Sequence, residues 1–120
     1  TLMAEELVEC ITMLKDKDDV RALIITGNGS RCFCPGADLK ERKMMNNVQW
    51  KKQHDIFEYA YELIRNFPYP VLAAVNGFAL GGGMEMILNC DLRYVAEHAK
   101  LGLPEVKPAS SLDNILPTPP

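Results

Sequence analysis

The stretch Pro70-Val71-Leu72-Ala73-Ala74-Val75-Asn76-Gly77-Phe78-Ala79-Leu80-Gly81-Gly82-Gly83-Met84-Glu85 sets the reading of the whole chain. Val71 to Val75 is an apolar run of strand length, closed by Asn76-Gly77, a dipeptide that favours a turn. Three consecutive glycines follow, and then the helix-like run Met84-Glu85-Met86-Ile87-Leu88. Glycines between a strand and a helix let backbone N–H groups approach a ligand closely, because no Cβ stands in the way. The first turn of a helix adds unpaired N–H groups and the positive end of a dipole. Such a place can hold an oxyanion. Glu85 falls in that turn, so a carboxylate is expected beside a candidate oxyanion site. On its own the pattern reads rather as a tight turn with a glutamate that only complements the dipole, since glycine-rich turns without chemistry are common.

Two further stretches shift that balance. Cys32-Phe33-Cys34-Pro35-Gly36-Ala37-Asp38-Leu39-Lys40-Glu41-Arg42 also follows an apolar strand, and Leu101-Gly102-Leu103-Pro104-Glu105 supplies a second carboxylate. Together the three stretches resemble the crotonase superfamily, and the enoyl-CoA hydratases within it most closely. The run Ala37-Asp38-Leu39-Lys40-Glu41-Arg42 is similar to the methylglutaconyl-CoA hydratase branch.

The resemblance covers about residues 2–107, roughly the middle of a crotonase domain. It implies an α/β fold, a crotonase-like spiral of β-β-α units with two stacked sheets, incomplete at both ends. It also implies an oxyanion hole of two backbone N–H groups, at Ala37 and Gly82, and two catalytic glutamates, Glu85 and Glu105. Gly36, Asp38, Leu39, Lys40 and Gly81 are the further positions implied to meet substrate. That substrate would be an acyl-CoA thioester, with coenzyme A part of the substrate, no separate cofactor and no metal. The parent protein is expected to be a homotrimer or hexamer, in the bacterial cytoplasm or mitochondrial matrix.

The chemistry explains why two carboxylates are wanted. Hydration of a 2-enoyl thioester puts hydroxyl on C3 and a proton on C2, and two groups flanking one water can move both protons. Glu85 would activate the water and Glu105 would supply the α-proton. The N–H groups of Ala37 and Gly82 would stabilise the enolate-like oxygen, an effect of roughly 3–4 kcal/mol per donor in comparable sites. Having both glutamates favours hydration over isomerisation, which related isomerases perform with a single carboxylate. An enoyl-CoA isomerase of the same superfamily is the alternative enzyme.

At 120 residues the chain is one domain at most, expected to bury roughly two-thirds of its unfolded surface. Hydrophobic and charged contents of 48% and 24% are those of a globular chain. The net charge of −3 argues against general affinity for nucleic acid or anionic lipid. No apolar run reaches spanning length and the N-terminus does not read as a signal peptide. With no initiator Met, the chain reads as the inside of a longer protein. Cys32 and Cys34 form a C-x-C with no second pair at zinc spacing, so Cys10, Cys32, Cys34 and Cys90 read as reduced thiols.

Along the chain, Met3, Leu7, Cys10, Ile11 and Leu14 space an amphipathic helix over residues 2–14. Residues 20–26 are expected to form a strand whose Ala22-Leu23-Ile24-Ile25 run is buried on both faces. Residues 38–45 read as a short helix with Asp38 as its cap. A longer helix is predicted over 48–66, burying Phe57, Tyr61 and Ile64 and stopped by Phe67-Pro68-Tyr69-Pro70. Trp50, Tyr59 and Tyr61 read as packing residues. A third extended segment begins in Cys90-Asp91-Leu92-Arg93-Tyr94-Val95, and helix–strand alternation implies parallel pairing. Residues 1–107 form the expected core, and 108–120 read as a proline-rich, irregular tail.

Lys40, Arg42 and Lys43 stand where coenzyme A phosphates could be met, and equally read as a solvated helix face. RNA binding is known in one member of the resembled branch, through lysines on its early helix. Glu5 and Glu9 replace two of them here and would repel phosphate, so no nucleic-acid partner is expected. A non-catalytic fragment is the remaining reading. The family's Gly-x-x-Pro-Gly-x-Gly-Gly after the second glutamate is replaced by Pro108-Ala109-Ser110-Ser111. Weak stability and little hydratase activity are therefore expected of the isolated 120 residues.

Overall fold

The computed structural model describes residues 2–36 and 39–102. In chain order these form α1 (Leu2–Leu14), β1 (Leu23–Thr26), β2 (Cys32–Cys34), α2 (Leu39–Lys43), α3 (Asn47–Arg65), β3 (Val71–Val75), β4 (Phe78–Leu80), α4 (Gly82–Leu88), β5 (Leu92–Val95) and β6 (Leu101–Gly102). The strands make two three-stranded parallel sheets, β1-β3-β5 and β2-β4-β6. Each pass of the chain lays one strand in each sheet, and the first two passes return through helix. This is the spiral of β-β-α units that the family resemblance implies.

Alternation along β3 sets the layer geometry. Val71, Ala73 and Val75 are buried, whereas Leu72 and Ala74 face the other side and are half-buried. The inward set packs in one core with Ile11, Phe57, Tyr61, Ile64, Met86 and Ile87. Burying side chains of this size contributes roughly 1.5–3 kcal/mol each.

The helix α3 owes its limits to local chemistry. Asn46 Oδ1 accepts from the Gln49 N–H at 2.8 Å, and Gln49 Oε1 accepts from the Asn46 N–H at 3.0 Å. This reciprocal capping box starts the helix one residue earlier than the apolar spacing predicts. Its buried face contains Phe57, Tyr61 and Ile64 as expected, and it ends at Arg65, with Asn66 as its C-cap, before the Pro68 and Pro70 segment.

Several expectations are corrected. In α1 the inward residues are Ala4 and Ile11, with Leu7 and Leu14 half-buried; Met3 and Cys10 are exposed. The first strand is shorter, Leu23–Thr26, and Ile24 is 64% exposed, so the run is not buried on both faces. A parallel strand needs helices over both faces to be doubly buried, and on this face Ile24 joins exposed Leu92 and Tyr94. Trp50 and Tyr59 are 44% and 48% exposed and lie outside the core. Trp50 instead stacks on His54 one helical turn away. The short helix ends at Lys43 rather than at 45, and its expected cap Asp38 lies outside the described residues. Finally, Gly82 and Gly83 belong to α4 itself, where a turn was expected. The expected irregular tail, 108–120, lies outside the described residues.

Candidate active site

β2 and β4 are parallel neighbours, with Cys32 opposite Phe78 and Cys34 opposite Ala79. Their carboxyl ends therefore emerge side by side, where open parallel sheets present their crevices. Two glycine turns follow. Gly36, two residues past β2, has φ +84°, and Gly81, just past β4, has φ +53°. Both values lie in the left-handed region, where a Cβ is strained.

The two turns touch. A Cβ placed on Gly36 would stand 2.8 Å from the Leu80 carbonyl oxygen and 3.0 Å from the Gly82 nitrogen. A Cβ placed on Gly82 would stand 2.8 Å from the Tyr61 hydroxyl oxygen and 3.7 Å from the Gly36 Cα. One on Gly83 would run into the Cys34 carbonyl. The glycines thus allow three backbone segments and one phenol to close on a single point.

Hydrogen bonds hold that arrangement from several sides. The Gly81 N–H donates to Gly102 O at 3.0 Å, tying the turn to β6. The Glu85 N–H donates to Gly81 O at 3.0 Å. The Tyr61 hydroxyl donates to Gly82 O at 3.0 Å. Tyr61 is 3% exposed; its burial, and next the negative charge of Glu85, push the phenol pKa up. The hydroxyl therefore stays neutral and keeps its proton to donate. Glu85 lies in the first turn of α4 and is exposed.

The helix leaving the Gly36 turn is anchored separately. Arg42 Nε donates to Gln53 Oε1 at 2.8 Å, Gln53 Nε2 donates to Glu41 Oε1 at 3.4 Å, and the Arg42 guanidinium lies 5.7 Å above the Trp50 ring. Gln53 is 1% exposed, and this pairing satisfies an amide that would otherwise be costly to bury. A groove of about 540 Å³ runs alongside, lined in part by Met44, Met45, Lys52 and Ile56.

Of the sequence-predicted site residues, Gly36, Gly81, Gly82 and Glu85 are brought together. Leu39 and Lys40 lie in α2, which begins three residues after Gly36. Ala37, Asp38 and Glu105 lie outside the described residues. Sequence reasoning missed the polar roles of Tyr61 and Gln53. Gln53, Phe57, Tyr61 and Ile64 share one helical stripe, so an amide interrupting an apolar face was the available signal. All four cysteines are free thiols. Among the described residues no group of three side chains is placed to hold a metal ion, and no helix is long and apolar enough to cross a membrane.

Known proteins resemble this chain in sequence and in fold. The profile described as enoyl-CoA hydratase/isomerase matches residues 1–111, and the chain belongs to that family, within the crotonase superfamily. It is 40% identical over 101 residues to the crotonyl-CoA hydratase of Syntrophomonas wolfei, covering 84% of this chain and 39% of the relative. It is 38% identical over 102 residues to the short-chain-enoyl-CoA hydratase of Clostridium acetobutylicum, covering 85% of this chain and 39% of the relative. The crystal structure of enoyl-CoA hydratase from Bacillus anthracis superposes with a TM-score of 0.86 at 43% identity, covering 91% of this chain and 42% of that one. The chain thus spans about two fifths of the length of these relatives.

Proposed function

We propose that the chain carries the thioester-polarising and water-activating part of an enoyl-CoA hydratase, adding water across the 2,3 double bond of an acyl-CoA. The observation that carries this reading is the contact between the Gly36 turn and the Gly82 nitrogen, with Glu85 one turn along the same helix. The N–H groups of Ala37 and Gly82 take the thioester oxygen. Glu85 removes a proton from water as its oxygen bonds to C3, and the double-bond electrons move toward the carbonyl. The resulting enolate oxygen is held by the two N–H groups until Glu105, protonated at the start, gives its proton to C2; Glu85 then releases the proton taken from water and Glu105 regains one, which resets both carboxyls. The sum is one water added, with no oxidant or reductant consumed.

The family description covers isomerases as well. Two glutamates support hydration, since moving a double bond needs only one group to lift and return a proton. Coenzyme A enters as part of the substrate, and the active assembly is a homotrimer or hexamer acting in bacterial cytoplasm or mitochondrial matrix. The test is crotonyl-CoA incubated with the protein in its natural full length, followed by loss of enoyl absorbance and by the mass of the product. Saturable formation of the hydroxyacyl-CoA supports the reading. Conversion of 3-enoyl substrates with no hydration at all would replace it with the isomerase.

A further inference from the structure

We propose that Tyr61 is a positioning residue of the thioester site, its hydroxyl fixing the Gly82 carbonyl and so the first turn of α4. The proposal rests on the hydratase reading above and goes beyond it, because Tyr61 lies on a different helix and touches neither water nor thioester in that scheme. Gly82 joins two peptide planes. The plane that carries its N–H is held through Gly81 O by the Glu85 N–H. The plane that carries its carbonyl is held by the Tyr61 hydroxyl at 3.0 Å. A glycine between two planes has the widest choice of φ and ψ, so both planes need an anchor if the N–H is to keep one direction. Donor placement to a fraction of an ångström is what such a site requires.

Three further observations support the assignment. Tyr61 is buried on α3, whose ends are capped by Asn46 and Asn66, so the hydroxyl is presented from a fixed support. The same oxygen lies 2.8 Å from the point a Gly82 Cβ would occupy, so it also reserves that position for glycine. Burial, and next the Glu85 charge, raise the phenol pKa, which favours the protonated hydroxyl that donates to the Gly82 carbonyl.

The test uses sorbyl-CoA, a conjugated dienoyl thioester whose absorption moves to longer wavelength as its carbonyl is polarised. The wild-type protein, Tyr61→Phe, Gly82→Ala and the double variant are compared in their natural full length. Tyr61→Phe is expected to bind sorbyl-CoA within about threefold of wild type, lose at least half of the spectral shift, and lower kcat for crotonyl-CoA about tenfold with KM changed less. Gly82→Ala is expected to lose the shift, and adding Tyr61→Phe to restore part of it by vacating the space the new Cβ needs. A full shift and full kcat in Tyr61→Phe would overturn the role of Tyr61 alone. A wild-type protein that binds sorbyl-CoA with no shift, or does not bind it, would overturn the hydratase reading and the proposal with it.

Discussion

The Glu85 backbone N–H donates to the Gly81 carbonyl oxygen at 3.0 Å, so one residue both carries the candidate base and holds the peptide plane that presents the Gly82 N–H. The side chain and main chain of Glu85 therefore have separable duties. Replacing the carboxylate leaves the backbone bond intact.

It follows that Glu85→Gln should keep sorbyl-CoA binding and its spectral shift while crotonyl-CoA hydration falls by about 10²–10⁴-fold, the usual share of a general acid or base. Steady-state kinetics beside a binding titration check this. Equal loss of binding and turnover would mean that the side chain is needed to build the site rather than to move protons.

Gly36→Ala tests the contact between the two turns. The new Cβ would meet Leu80 O and the Gly82 nitrogen, at a φ of +84° that alanine rarely adopts. Strain of this kind costs about 1–3 kcal/mol. Chemical denaturation should show that loss, and the folded fraction should no longer polarise sorbyl-CoA. A variant as stable as wild type would mean that the turns are not in contact.

The buried amide gives a third test. Gln53→Leu keeps the volume but removes the acceptor of Arg42 Nε and the donor to Glu41. Loss of such a partner costs about 1–3 kcal/mol, and α2 should loosen with it. Amide hydrogen exchange would report faster exchange in α2 than in β3. Unchanged exchange in α2 would place its anchor elsewhere.

Stability at alkaline pH has a defined sign. Cys90 is buried, with its Sγ 3.4 Å from Met86 O, and burial pushes the thiol from its ordinary 9.0 up to about 11. Between those values the unfolded chain has lost a proton that the folded chain keeps, so stability falls as pH rises, by at most about 1.4 kcal/mol per pH unit from this group. Cys90→Ala should lower stability uniformly near neutrality and flatten this alkaline slope. Burial raises Cys34 and Tyr61 as well, so part of the slope should persist. An unaltered slope would show that Cys90 ionises alike in both states.

Much of the architecture was legible in sequence because its signals are local. Residues 2–14 and the Phe57, Tyr61 and Ile64 face declared themselves by helical spacing, and Val71–Val75 by an apolar run between turn residues. The second sheet was not read residue by residue. β2, β4 and β6 have three, three and two residues, too short for alternation to register, and each exists only because its neighbour lies beside it. Family resemblance implied two sheets without saying which residues formed them. At the site, glycines and Glu85 were visible as residue types, whereas the Tyr61–Gly82 bond spans 21 positions and depends on how α3 packs over α4. The exposure of Ile24 had the same origin, since an apolar run does not reveal whether both faces are covered.

The most direct measurement is a crystal structure of the protein with acetoacetyl-CoA, a thioester that keeps the carbonyl but cannot be hydrated at a 2,3 double bond. The thioester oxygen is expected about 2.7–3.1 Å from the Gly82 and Ala37 nitrogens, with C3 facing Glu85 and Glu105. A thioester bound elsewhere, or seated here with its oxygen turned away from the Gly82 nitrogen, would contradict the central claim.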